Sequence, residues 1–262
     1  MEVGLQEGGD YAPVSLGDWL CWACFLNPFV WSGRTMRCFL SFPAMPKRLA
    51  IIDYGLGNLH SVAKALQLAA PDWRVSLCTD ERELQRSDKL VFPGVGAIGD
   101  CLDGLARLNL TGALIDACRT TPCLAICVGF QALFSRVFEF GERAGLGLLT
   151  GEVRSLHYLA GEQGVDLAAR RLRVPHSGWN QLRIAPAFAD HPLLSGTPPD
   201  PFVYFVHSYA LVAEGQNFVA ATANHGLDLA ALVIRDNLIG CQFHPEKSHA
   251  PGQRLLRNFI EL

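Results

Sequence analysis

The sequence has no excess of positive charge: 22 Lys and Arg stand against 25 Asp and Glu, for a formal net charge of -3. That removes the electrostatic case for binding nucleic acid or acidic membranes. The apolar stretch from Trp19 to Trp31 is too short to span a bilayer and is interrupted by Asn27-Pro28, so no membrane association is expected. Glu2, Glu7 and Asp10 are wrong for the basic start of a signal peptide, and the segment is too acidic for a transit peptide. The nine cysteines lack regular spacing and are odd in number. Several lie inside apolar segments (Cys78, Cys101, Cys118, Cys123, Cys241), which points to a reducing, cytoplasmic compartment and not to a disulfide scaffold. Cys21-Trp-Ala-Cys24 has the spacing of half a zinc site, but no second ligand pair follows it, and no metal is expected. Internal repeats and linkers are absent as well.

Half of the residues are hydrophobic and 18% are charged, the balance of a globular protein. Residues 1–44 stand apart, with three of the five tryptophans, Trp19, Trp22 and Trp31. The expectation is a dispensable, disordered or over-extended start, with Met45 as the initiator. Residues 45–262 are enough for one α/β domain with a substantial core.

Strand and helix patterns alternate through the first half. Arg48 to Asp53, Trp73 to Cys78, Lys89 to Phe92 and Cys123 to Ile126 read as buried strands. Asn58 to Ala70, Asp100 to Leu108, Gly112 to Arg119 and a segment from Gly129 read as helices. This alternation implies a mostly parallel central sheet with helices on both faces. The second half reads as extra strands joined by turns: Glu152 to Leu156, Gln181 to Ile184, Phe202 to Leu211, Phe218 to Ala223, Ala230 to Ile234 and Leu238 to Phe243. Gly161 to Arg171 reads as a polar loop, and Pro251 to Glu261 as a closing helix whose Leu255, Leu256, Phe259 and Ile260 share a face.

Two segments carry the chemistry. In Pro122-Cys-Leu-Ala-Ile-Cys127-Val-Gly-Phe-Gln131 an apolar strand ends at a thiol and a helix begins, the corner of a nucleophile elbow with its side chain exposed. The following helix N-terminus favours thiolate. In Ile239-Gly-Cys-Gln-Phe-His244-Pro-Glu246-Lys-Ser248, extended chain would put Glu246 on the same side as His244. A thiol, an imidazole and an orienting carboxylate form a nucleophile–base–orienter set. A Cys in a strand is, taken alone, more often a core residue. Phe92-Pro-Gly-Val-Gly96 follows a strand and suits a backbone oxyanion hole, although such loops are also common turns. Tyr54-Gly-Leu-Gly-Asn58 lacks the third glycine of a dinucleotide fingerprint, which excludes that cofactor.

Read in full, these stretches resemble the class I (triad-type) glutamine amidotransferases, over roughly Leu49 to Leu262, and within them the glutaminase subunits of imidazole glycerol phosphate synthases. The resemblance implies a flavodoxin-like amidotransferase fold and no cofactor. It implies a triad of Cys127, His244 and Glu246, and an oxyanion hole at Gly94, Val95 and Val128. It places glutamine contacts at Gly129, Gln131, Ser208 and Tyr209. Asn58, and Trp179 and Asn180 of Val174-Pro-His-Ser-Gly-Trp-Asn180, would face a TIM-barrel cyclase subunit, with Lys247 at the mouth of an ammonia channel. Two departures stand out: Ala125 where the family has Gly two residues before the Cys, and Ser177 where Met is common. The rival readings are an amidotransferase subunit of another synthase, a stand-alone flavodoxin-like Cys hydrolase acting on peptides or aldehydes, and a catalytically dead binding subunit.

Overall fold

The computed structural model describes residues 46–212 and 216–262, so the expectation for residues 1–44 lies outside the described residues. Three consecutive strand–helix units open it: β1 (Arg48–Ile52), α1 (Leu59–Ala69), β2 (Arg74–Cys78), α2 (Glu81–Gln85), β3 (Lys89–Gly94) and α3 (Ile98–Arg107). Then come α4 (Thr111–Thr120), β4 (Cys123–Cys127) and α5 (Val128–Ala132). The second half holds β5 (Phe134–Phe138), β6 (Glu142–Ala144), β7 (Leu149–Ser155), α6 (Leu156–Glu162), β8 (His176–Gln181) and β9 (Arg183–Ile184). It continues with β10 (Phe202–His207), β11 (Tyr209–Ala210), β12 (Val219–Asn224), β13 (Asp228–Arg235), β14 (Leu238–Cys241) and α7 (His249–Glu261).

The main sheet runs β2-β1-β3-β4-β14-β13-β12-β9. Its first five strands are mutually parallel, and β13, β12 and β9 add antiparallel pairs at one side. All five residues of β4, Cys-Leu-Ala-Ile-Cys, are buried, as are all six of β3. A strand that is apolar on both sides needs cover on both faces of its sheet. Helices supply it in two groups: α1 packs on α7, while α3 packs on α4 and α5, and α2 on α4. On α7, Leu255, Leu256, Phe259 and Ile260 are all buried, as their spacing predicts. Each such side chain contributes on the order of 1.5–3 kcal/mol of burial.

The structure departs from the sequence reading where short elements crowd together. The helix from Gly129 ends after one turn at Ala132, and Phe134-Ser-Arg-Val-Phe138 turns to strand, with Phe134 and Val137 buried and Arg136 exposed. The strand expected to reach Leu156 stops at Ser155, whose hydroxyl accepts from Tyr158 N and caps α6. The loop expected at Gly161 to Arg171 is therefore partly helix. It is pinned by a second small core of Leu156, Leu159, Ala160, Leu167, Ala210, Leu227 and Leu229. The segment around Trp179 is strand β8, paired with β10.

Candidate active site

In a parallel sheet, functional groups gather beyond the carboxyl ends of the strands. Here β3, β4 and β14 are neighbours, and their carboxyl ends deliver Gly94, Cys127 and the segment leading to His244. Cys127 has φ 54° and ψ -106°, a conformation that costs a residue with a side chain about 1–3 kcal/mol. That strain is the mark of the expected elbow. The side chain, however, is only 4% exposed, and it lines a partly open cavity of about 290 Å³. The helix that follows has five residues, too short to lend the sulfur much dipole, so support for a thiolate has to come from individual donors.

His244 and Glu246 do not pair through extended chain as expected. Pro245–Lys247 forms a 3-10 turn, and the turn brings Glu246 Oε1 to 2.8 Å from His244 Nδ1. Both side chains are buried. Burial works against a charged imidazole, but the neighbouring Cys127 sulfur and the Glu246 carboxylate outweigh it, and the pKa of His244 is raised to about 9. Among the described residues, His244 Nε2 has no hydrogen-bond partner. That nitrogen is the acceptor a Cys127 proton needs. Ser248 fixes the backbone beneath: its Oγ donates to His244 O at 2.6 Å and accepts from Tyr204 N at 3.0 Å.

The cavity is lined by Val95, Gly96, Val128, Gln131, Ser208 and Tyr209 around Cys127 and His244. Of the two loop glycines, Gly96 takes the positive φ, +87°. Gly94 is needed for space, since a Cβ there would lie 2.6 Å from the Tyr54 hydroxyl and 2.8 Å from Gly129 N. Gly129 sits beneath the cavity and does not line it, packed so that a Cβ would meet Phe92 O at 2.0 Å. Ala125, the departure noted above, is fully buried in β4 and paired with Gly240, the one neighbour smaller than itself.

Gln131 donates both amide protons inward, to Tyr209 O at 2.8 Å and to Gln242 Oε1 at 2.9 Å. What it has left to offer a ligand is an acceptor oxygen. Glu139, which sequence reasoning missed, also lines the cavity. Its Oε2 accepts from Ile98 N at 2.6 Å, and burial raises its pKa, partly offset by that N–H. An acceptor oxygen and a carboxylate together suit a ligand ammonium group. No signal in the sequence singles out Glu139, because it arrives on the unforeseen hairpin of β5 and β6.

Trp179, 46% exposed, stacks flat on His249 at 5.0 Å and meets Tyr204 edge-on. Lys247 Nζ lies 5.9 Å from the centre of the Tyr204 ring, so Trp179, Tyr204, Lys247 and His249 make one outward-facing group. Asn58 is exposed at the start of α1 and makes no cap with its side chain. Asn180 is different: its amide is spent inside the protein on Asn224 O, His176 Nε2 and Gln181 N.

A thiol on a strained strand–helix corner, an imidazole and a buried carboxylate, set above a mostly parallel sheet, are the arrangement that a thiol-dependent hydrolase of triad type requires. The sequence model described as "Glutamine amidotransferase class-I" matches residues 50–262, and the chain belongs to that family. Within it the chain groups with imidazole glycerol phosphate synthase subunits HisH. It is 44% identical to the one from Methylococcus capsulatus over 214 residues, covering 81% of this chain and 95% of that relative. It is 41% identical to the one from Acinetobacter baylyi, covering 82% and 98%. Among solved structures, PurLQS from Thermotoga maritima has a TM-score of 0.59 at 17% identity, covering 83% of this chain and 99% of that one. The glutaminase domain of Trypanosoma brucei CTPS has a TM-score of 0.56 at 15% identity, covering 82% and 92%. At such identities these two support the fold alone.

Proposed function

We propose that this chain is the glutaminase subunit of an imidazole glycerol phosphate synthase in histidine biosynthesis, with residues 45–262 as its amidotransferase domain. It hydrolyses L-glutamine to glutamate and ammonia. Cys127 passes its proton to His244 Nε2, and the thiolate attacks the side-chain amide carbon. The oxyanion that forms is met by backbone N–H groups at Val128 and at the Gly94-Val95 segment. Collapse to a cysteinyl thioester expels ammonia, protonated on its way out by His244. The same ring then activates the water that frees glutamate. Glu246 holds the ring in the tautomer that presents Nε2 to the sulfur.

The Gln131 oxygen and Glu139 take the α-ammonium group of glutamine, and Ser208 and Tyr209 take its carboxylate side. Ammonia then passes to a TIM-barrel cyclase subunit seated over Trp179, Lys247 and Asn58. That subunit converts a phosphoribulosyl-formimino carboxamide ribonucleotide into imidazole glycerol phosphate and an aminoimidazole carboxamide ribonucleotide. Channelling has a physical reason, since ammonia released into water at neutral pH protonates and loses its lone pair. The cytoplasm is the compartment this reading requires, and the six buried free cysteines among the described residues accord with it.

The observation that carries the reading is the buried Cys127–His244–Glu246 set, of which Cys127 and His244 line a small cavity. The experiment is glutamate release by the full chain, alone and with a cyclase subunit plus its nucleotide. Near silence alone and strong stimulation by the liganded partner are expected. Full activity alone would favour a stand-alone hydrolase.

A further inference from the structure

Gln242 lies just beyond β14, two residues before His244, and is completely buried. Its Nε2 stands 3.8 Å from Cys127 Sγ, within reach of a hydrogen bond to sulfur. The orientation of its amide is fixed by a chain of single-valued groups. Tyr209 O is a carbonyl and can only accept, so the group Gln131 turns toward it is the NH2. The second proton of that NH2 points at the Gln242 oxygen, at 2.9 Å. Gln242 is thereby left with its own NH2 facing the sulfur. The neutral thiol meanwhile has a different partner, Val206 O at 3.8 Å, which can accept a proton but cannot stabilise an anion.

We propose that Gln242 is a catalytic residue whose side-chain N–H stabilises negative charge on the Cys127 sulfur. The inference rests on the reading of Cys127 as nucleophile. Gln242 transfers no proton: the thiol proton goes to His244 Nε2, and the electron pair it leaves on sulfur is held by the Gln242 donor until the carbon–sulfur bond forms. The same donor acts again when that bond breaks during thioester hydrolysis and the pair returns to sulfur. With a helix of only five residues behind Cys127, this donor replaces support that a longer helix would give. The link through Gln131 also ties the sulfur to the groups that hold the substrate.

The test is the pH dependence of Cys127 alkylation by iodoacetamide in the full-length protein, located by mass spectrometry. Wild type is compared with Gln242→Met, which keeps the volume and removes the donor. The second variant is Gln242→Asn, which keeps an amide but withdraws it by one carbon. Both should move the alkylation midpoint up by about one pH unit, while the plateau rate at high pH stays comparable. They should also lower kcat by about tenfold near neutral pH, a larger effect than on KM. An unmoved midpoint in either folded variant overturns the proposal. Should neither fold, the side-chain amide resonance of Gln242 in the wild-type protein is followed instead: it should titrate with the alkylation midpoint, and a flat response overturns the proposal. Failure of the underlying reading looks different, because Cys127→Ala would then still hydrolyse glutamine.

Discussion

His176 Nδ1 and His207 Nε2 share a hydrogen bond of 2.9 Å. His207 Nδ1 reaches Tyr209 O at 2.9 Å, and Asn180 Nδ2 reaches His176 Nε2 at 3.1 Å. Because Tyr209 O only accepts and the Asn180 amide nitrogen only donates, each ring is one defined neutral tautomer donating toward the cavity. His176 is further clasped between Phe205 and His225, stacked at 4.7 and 4.1 Å. Burial pushes the pKa of His176 down to about 3 and that of His207 to about 4, with the neighbouring histidines adding to the shift. The pair thus holds the carbonyl that, on its other side, holds Gln131.

This pair predicts the acid limb of stability. Both folded pKa values lie below the ordinary histidine value of about 6.5, so between that pH and about 4 the unfolded chain binds more protons. Stability therefore falls as pH falls, by up to about 1.4 kcal/mol per pH unit for each histidine. Denaturant unfolding of wild type and His207→Gln at pH 7, 6 and 5 should give a flatter profile for the variant. Parallel profiles would contradict the neutral pair.

Glu246→Gln should leave folding intact and lower kcat for glutamine hydrolysis on the order of 10²–10⁴-fold. The amide can still contact His244 Nδ1, but it no longer enforces the tautomer or supports the imidazolium. KM should change little, since no ligand contact is removed. A loss confined to KM would mean that Glu246 acts on binding, not on the base.

Much of this site was legible in the sequence because it is local. Cys127 closes an apolar strand, and His244 and Glu246 lie two residues apart, so short-range geometry brings each piece to its place. The parallel sheet followed from strand–helix alternation for the same reason. What escaped is set by distant pairings. Glu139 enters the cavity only because Arg136 to Phe138 pair with Glu142 to Ala144, a register that no local pattern announces. His176 and His207 meet because β8 and β10 align them as direct partners. The α6 helix had a readable signal, Ser155 ahead of Leu156, Leu159 and Ala160, masked by the polar residues that follow it.

Glu139→Gln tests the ammonium subsite. Loss of one charge-assisted bond should raise KM for glutamine about 10- to 100-fold, with a smaller effect on kcat. The change keeps the side-chain volume and retains an oxygen able to accept from Ile98 N, so α3 should be undisturbed. Steady-state kinetics of the assembled enzyme separates the two constants. A fall in kcat at unchanged KM would assign Glu139 to another role.

Gly252 lies in the first turn of α7 and lines no part of the cavity, yet a Cβ there would sit 2.0 Å from Pro245 O and 2.9 Å from Ser248 Cβ. Neither neighbour can yield cheaply. Pro245 belongs to the turn that brings Glu246 to His244, and Ser248 ties that turn to Tyr204. Gly252→Ala must therefore push helix and turn apart, at a cost on the order of 1–3 kcal/mol, and in doing so it displaces the imidazole from the sulfur. A fall in kcat should accompany the lower melting temperature. Gly161→Ala is the matched control: it also lies in a helix, meets nothing within 4 Å, and should stabilise by about 0.5–1 kcal/mol with activity intact. If Gly252→Ala were as harmless as Gly161→Ala, the position of His244 would not depend on how α7 docks.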